Sequence, residues 1–167
     1  MPDPAASSIL QHAQRVLDTE AAALTKLARH LPPDFQAATE AMLACKGRVI
    51  VSGVGKSGHI GRKIAATFAS TGTPSYFIHA TEASHGDLGM IGPQDLCLLI
   101  SNSGETAELK DMIAHTRRFS IPMAAISSNG GSTLSKAATF KLTLPDAPEA
   151  CPIGLAPTTS TTLALAL

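Results

Sequence analysis

The 167-residue chain predicts an α/β protein: a three-layer αβα sandwich on a five-stranded parallel sheet, preceded by N-terminal helices. Three observations point there. From residue 48 onward, short apolar runs alternate with stretches of helical periodicity. The runs are nearly continuous (Val49-Ile50-Val51, Leu96-Cys97-Leu98-Leu99-Ile100, Met123-Ala124-Ala125-Ile126), as strands covered on both faces require. Two of them end in glycine- and serine-rich loops that open onto helices. With 44% hydrophobic and only 4% aromatic residues, the core must be built from Ala, Leu, Ile and Val.

The elements follow in order. Apolar residues at Ile9/Leu10, Ala13, Val16/Leu17, Ala21, Leu24, Leu27/Ala28 and Leu31 form one stripe and predict an amphipathic helix over 7–31. Pro32-Pro33 ends it, and 34–45 reads as a second helix with Phe35, Ala38, Met42 and Leu43 inward. Residues 1–45 are therefore expected to pack on the domain or on a partner subunit, with 46–167 forming the sandwich. Strands are expected at 48–52, 75–79, 96–101, 123–127 and 140–144, with helices at 57–70, 106–119 and 132–138. This is the flavodoxin-like arrangement, in which ligands gather beyond the carboxyl ends of the strands.

Several classes are excluded. Lys+Arg and Asp+Glu are both 13, so no broad basic surface for nucleic acid or anionic membrane is expected. The longest apolar run, 96–100, is far short of the ~20 residues of a membrane span. The first ten residues, with Asp3 and two prolines, do not read as a secretory signal. Cys45, Cys97 and Cys151 match neither a disulfide framework nor a zinc pattern, which suggests buried thiols in a reducing cytoplasm.

Chemistry is then sought in the loops. Gly53-Val54-Gly55-Lys56-Ser57-Gly58 matches G-x-G-x-x-G, but the acidic residue a dinucleotide site wants at the end of the next strand is replaced by His79. A P-loop would need glycine where Ile50 stands. What survives is close backbone approach, the unpaired N–H groups of a helix start, and the charge of Lys56 beside Ser57. The loop 101–106 gathers Ser101, Ser103 and Thr106 at a helix start, more hydroxyls than an N-cap needs, and suits the oxygens of a phosphate monoester. His79 and His85 flank Glu82 after the second strand and suit sugar hydroxyls better than a structural metal, since no third soft ligand sits nearby. Glu108 and Glu149 each follow a strand, and Glu149 precedes the hydroxyl cluster Pro157-Thr158-Thr159-Ser160-Thr161-Thr162 of a last apolar helix. Two carboxylates and a lysine around one phosphate site are the parts enolisation needs.

Together, Gly53-Val54-Gly55-Lys56-Ser57-Gly58, Glu82-Ala83-Ser84-His85-Gly86-Asp87-Leu88-Gly89, the 101–106 loop and Glu149-Ala150-Cys151-Pro152 through Pro157-Thr158 resemble the sugar isomerase (SIS) domain of D-arabinose-5-phosphate isomerases, from about residue 40 to the end. The resemblance implies interconversion of D-ribulose 5-phosphate and D-arabinose 5-phosphate through an enediol, for the 3-deoxy-D-manno-octulosonate of lipopolysaccharide, with no redox cofactor. It implies catalytic roles for Lys56, Glu108 and Glu149, and substrate contact for Gly72, Thr73, His79 and His85. Ser101, Ser103 and Thr106 would hold the phosphate with Ser57 close by, and His79 is associated with an inhibitory zinc ion. A homotetramer is implied, as are a further histidine in a Ser-His-Pro-Gly-Gly-like segment and CBS modules beyond Leu167; without them the chain is expected to bind substrate but isomerise weakly. Which carboxylate is the base stays open. A sugar-phosphate-sensing regulator is the competing reading, disfavoured because the first helices hold only Arg15, Lys26 and Arg29 as firm positive charges; an isomerase of another ketose phosphate is the third.

Overall fold

Five apolar runs of four or five residues pair as a sheet in which every neighbour is parallel: β1 (Val49–Gly53), β2 (Ser75–His79), β3 (Leu96–Ile100), β4 (Met123–Ser127) and β5 (Phe140–Thr143). This is a computed structural model that describes the backbone of residues 4–167 and the side chains from Ser8 onward. Residues 1–3, where the N-terminal stretch read above begins, lie outside the described residues. The strand order is β2-β1-β3-β4-β5. Gly53 pairs with both His79 and Ile100, and Ile100 with Ile126, so the strands end level along one edge.

Side chains alternate between two buried layers. Val49, Val51, Leu98, Ile100, Ile126 and Leu142 face one layer together with Ala23, Leu27, Ala38, Ala65 and Leu163. That layer is supplied by α1 (Pro4–Arg29), α2 (Phe35–Ala44), α3 (Gly55–Ser70) and α7 (Thr159–Ala166). Ile50, Leu99, Met123 and Ala125 face the other, with Ala80, Ala83, Leu109, Met112 and Leu134. Its helices are α4 (Ala80–Ser84), α5 (Lys110–Arg118) and α6 (Thr133–Ala137). The three layers and the all-parallel sheet are those the apolar runs predict.

Several details differ from the sequence expectation. Helix α1 starts at Pro4, and only its second half is covered: Ala23 and Leu27 are buried while Ile9, Leu10 and Leu17 are exposed. Two polar ties fix that half, with Lys26 Nζ donating to the Asp146 carbonyl at 2.7 Å and the Thr162 hydroxyl donating to Glu20 at 3.0 Å. The expected 106–119 helix opens as a 3-10 turn, Ala107–Leu109, before α5 begins. Helix α4 was not anticipated, because five residues are too few to show a period. The cysteines are not uniformly buried either: Cys97 is, and burial followed by the nearby Asp95 and Cys45 pushes its thiol up to about 12, whereas Cys45 and Cys151 are half-exposed.

Close approach of α3 to β1 depends on glycine. A Cβ on Gly58 would stand 2.8 Å from the Gly53 carbonyl oxygen, a backbone atom that cannot swing aside. Gly58→Ala is expected to cost about 1–3 kcal/mol of stability, lowering Tm by roughly 2–4 °C per kcal/mol in a thermal melt followed by circular dichroism. An unchanged Tm would mean that the helix seats without this contact.

Candidate active site

Reversal of strand order between β1 and β3 opens a crevice at the carboxyl edge, because the connection leaving β1 runs over one face and that leaving β3 over the other. The two loops singled out in the sequence flank it. Lys56 is the second residue of α3 and is exposed, with half-buried Ser57 beside it. The 101–106 loop follows β3 directly.

Within that loop the hydroxyls divide the work. Ser101 is buried; its Oγ accepts the Gly104 N–H at 3.0 Å and lies 2.7 Å from the Thr106 hydroxyl, so it holds the loop's shape. Ser103 is exposed and accepts the Glu105 N–H at 3.2 Å, which leaves its O–H free to donate outward. Gly104, at φ +71°, lies so close to Ser132 Oγ that any Cβ there would clash, which locks the loop against the start of α6. Ser127 and Ser128 donate to the Asn102 carbonyl at 3.1 and 2.8 Å, joining this loop to the one after β4.

Glu149 lies in the long β5–α7 connection, beyond the carboxyl ends of β4 and β5. Its Oε2 accepts the Thr158 N–H at 2.7 Å, the Thr158 hydroxyl at 2.9 Å and the Ser160 N–H at 3.3 Å, so it caps α7 from outside the helix. Burial opposes its ionisation, but the polar groups of Ser160 and Thr158 outweigh it and hold the carboxyl below the usual range. Oε1 makes no hydrogen bond among the described residues. A cavity of about 110 Å³ is lined by Glu149, Asn102, Ser128, Asp146 and Ser160. A cleft of about 10 Å³, enough for roughly one water, adjoins it between Ser57, Asn102, Ser160 and Thr161. A larger cavity of about 330 Å³ lies elsewhere, on the apolar face between Phe35, Met42, Ile64, Phe68 and Leu142; of the candidate site residues only Thr73 lines it.

The histidines bracket α4 and line neither of the two small cavities. His79 ends β2 and caps α4, with its Nδ1 accepting the Thr81 N–H at 3.3 Å; His85 follows the helix and is exposed. In the neutral ring this arrangement puts the proton on Nε2, as a donor. Among the described residues no three His, Cys, Asp or Glu side chains cluster. Exposed Glu108 sits in the 3-10 turn against which α4 packs, on the histidines' side.

Gly72 and Thr73 are not brought here. They precede β2 at the opposite edge of the sheet, a full strand of five residues, or about 16 Å, from His79. Conversely, Asn102 and Ser160 line both cavities although neither was singled out in the sequence. Each stood inside a segment already marked as polar, and only the return of α7 over the sheet brings them together.

The family model for the SIS domain matches residues 42–167. The chain is 54% identical over 157 residues to the arabinose 5-phosphate isomerase KdsD of Yersinia pestis, covering 94% of this chain and 48% of that protein. It is 49% identical over 172 residues to the arabinose 5-phosphate isomerase KpsF of Escherichia coli O6:H1, covering all of this chain and 53% of that one. The chain thus spans about half the length of the curated relatives it matches. Among solved structures, E. coli CFT073 c3406 in complex with A5P superposes with a TM-score of 0.91 at 38% identity, over 96% of this chain and 85% of that one. A crevice at the β1/β3 reversal, a serine-rich loop after β3 and these likenesses converge on one conclusion: the chain belongs to the SIS domain family.

Proposed function

We propose that this chain carries the chemistry of an arabinose 5-phosphate isomerase, interconverting D-ribulose 5-phosphate and D-arabinose 5-phosphate. The observation that carries the reading is an ionised carboxylate with one free oxygen, Glu149, on the wall of a cavity shared with the hydroxyl loop after β3. The relatives named for this activity support the choice of sugar.

The phosphate lies on the 101–106 loop, where Ser103 and Thr106 donate, Ser101 keeps the loop in shape and Ser57 closes the near side. Glu149 Oε1 takes the proton from C1 of the ketose; the C–H electron pair becomes the C1=C2 double bond and the carbonyl pair moves onto the C2 oxygen. Lys56 steadies that enediolate; the proton of the C1 hydroxyl passes to the C2 oxygen, the pair it leaves on that C1 oxygen becomes the C1=O bond, and the C1=C2 pair takes the proton back at C2 to give the aldose. Electrons stay within the substrate, so no redox cofactor is called for. His79 and His85 hold sugar hydroxyls, with the His79 Nε2–H as one donor. Glu108, exposed on the histidines' side, serves as the second acid–base group.

The same proposal extends to the assembly. A substrate role for Gly72 and Thr73 requires a neighbouring subunit, and the exposed Ile9, Leu10 and Leu17 of α1 offer an apolar face for one, in keeping with a homotetramer. No helix among the described residues is long and apolar enough to cross a membrane. We place the protein in the cytoplasm, supplying 3-deoxy-D-manno-octulosonate for lipopolysaccharide, with CBS modules in the remaining length that the relatives carry.

Proton abstraction is read directly by incubating the full-length protein with D-arabinose 5-phosphate in deuterated water and following loss of the C2 proton by NMR. Exchange and conversion to the ketose are expected, falling by about 10²–10⁴-fold in Glu149→Gln and less in Glu108→Gln. Absence of both exchange and conversion with either pentose phosphate would falsify the isomerase reading; a greater loss in Glu108→Gln would reassign the base.

Glu149 also links stability to pH. Because folding holds its carboxyl below the unfolded value, its contribution is fully present above about pH 4.3 and is lost as pH falls through the folded value. The Tm deficit of Glu149→Gln is therefore expected to be largest near neutrality and to shrink below about pH 4. A deficit independent of pH would show that the charge does not hold α7.

A further inference from the structure

Zero net charge conceals a segregation of charge along the chain. Residues 41–81 hold five basic residues (Lys46, Arg48, Lys56, Arg62 and Lys63) and no acidic one, whereas 82–111 hold six Asp or Glu and a single basic residue, Lys110. The fold turns this pattern into two surfaces. Lys56, His59, Arg62 and Lys63 are all exposed and recur at the spacing that shares one side of α3. Lys63 Nζ donates to the Thr67 hydroxyl at 2.9 Å, and the Arg62 guanidinium lies 4.4 Å from the centroid of the Phe77 ring, so these contacts leave both positive charges uncancelled. In the layer on the other face of the sheet, α4 packs against α5, the turn Asp87–Met90 and the 3-10 turn Ala107–Leu109. These elements expose Glu82, Glu108 and Asp111, with Asp87 half-buried among them.

From this placement we infer that the basic side of α3 is an interface whose occupant is the acidic α4–α5 side of a second copy of this chain. Both surfaces flank the same edge of the sheet. Strand β2 is the end strand; α3 packs on one of its faces, and α4 leaves its carboxyl end toward the other. A twofold axis parallel to the strands at that edge exchanges the two layers, so α3 of each copy meets the acidic side of the other. The contact is made twice and closes on itself. A twofold perpendicular to the sheet would set α3 against α3, and like charges would repel. Half-exposed Met90 lies on the acidic side and supplies an apolar contact within it. This interface is distinct from the apolar face of α1, which serves as only one of the two different contacts that a tetramer of dihedral symmetry needs. It rests on charge and fold alone and does not depend on the isomerase reading.

Exchanging the charges tests the pairing itself. One variant of the full-length protein carries Arg62→Glu with Lys63→Glu, and the other carries Glu82→Lys with Asp111→Lys; all four positions are exposed and lie outside the residues assigned to the site. Each variant is expected to keep its Tm within about 2 °C. Light scattering at low salt should show the assembly mass falling by half in each variant alone. Mixed in equal amounts, the two should regain the unsubstituted mass, because each then presents the charge that the other's faces require. Raising ionic strength from about 0.05 to about 0.5 M should weaken the same contact in the unsubstituted protein about tenfold, as screening shortens the reach of the charges. The neutral pair Arg62→Gln with Lys63→Gln, which brings no repulsion, should weaken association about tenfold and keeps the test open should a reversed charge unfold the chain. The inference is overturned if the unsubstituted protein is monomeric at low salt, if folded charge-reversed variants keep its mass, or if their mixture stays at the mass of the separate variants.

Discussion

The site depends on one topological constraint, the reversal of strand order between β1 and β3. A parallel strand must be followed by a right-handed crossover, so the direction in which the chain moves along the sheet decides which face its helix covers. From β1 the chain moves outward to β2 and α3 covers one face; from β3 it moves toward β5, and α5 covers the other. The first turns of these connections separate at the reversal. Backbone N–H groups and hydroxyls at the edge are therefore left facing a gap instead of each other.

What the sequence made legible follows from how local each signal is. Strands betray themselves because both faces are buried, and loops 53–58 and 101–106 because glycine and serine interrupt apolar runs. Strand order is not local, and nothing in the sequence distinguishes residues preceding a strand from those following it in space. Gly72-Thr73 and His79 are separated by a single strand, yet they occupy opposite edges of the sheet. Helix α4 escaped notice for a different reason: its five residues complete little more than one turn, and its cap is a histidine ring, not a Ser, Thr, Asp or Asn.

Glu149 illustrates how a local reading can identify a residue and miss half of its work. In sequence it is a carboxylate in a proline-rich loop; in the fold it accepts from two residues at the start of α7 and thereby ties that helix to the crevice. The two roles are compatible because a carboxylate has two oxygens. Oε2 is engaged by the helix terminus, and the ionised state that favours the cap is also the state that the proposed role as base needs. The cost is basicity, because every hydrogen bond that stabilises the anion weakens its pull on a proton.

Zero net charge is compatible with the sugar-phosphate substrate proposed for this chain. A basic surface attracts every anion at long range, whereas partial charges on N–H groups and hydroxyls act within a few ångströms and only on a ligand of matching shape. The proposed site draws on such groups: an outward hydroxyl at Ser103, the Ser101–Thr106 hydroxyl pair, one ammonium at Lys56, and the Glu149 carboxylate, which would repel a second phosphate. Orientation of the substrate follows from that gradient. In the proposed reaction the phosphate would settle at the hydroxyl loop with the carbonyl end toward Glu149, so that the arrangement binding the anion would also align the reacting carbon with its base.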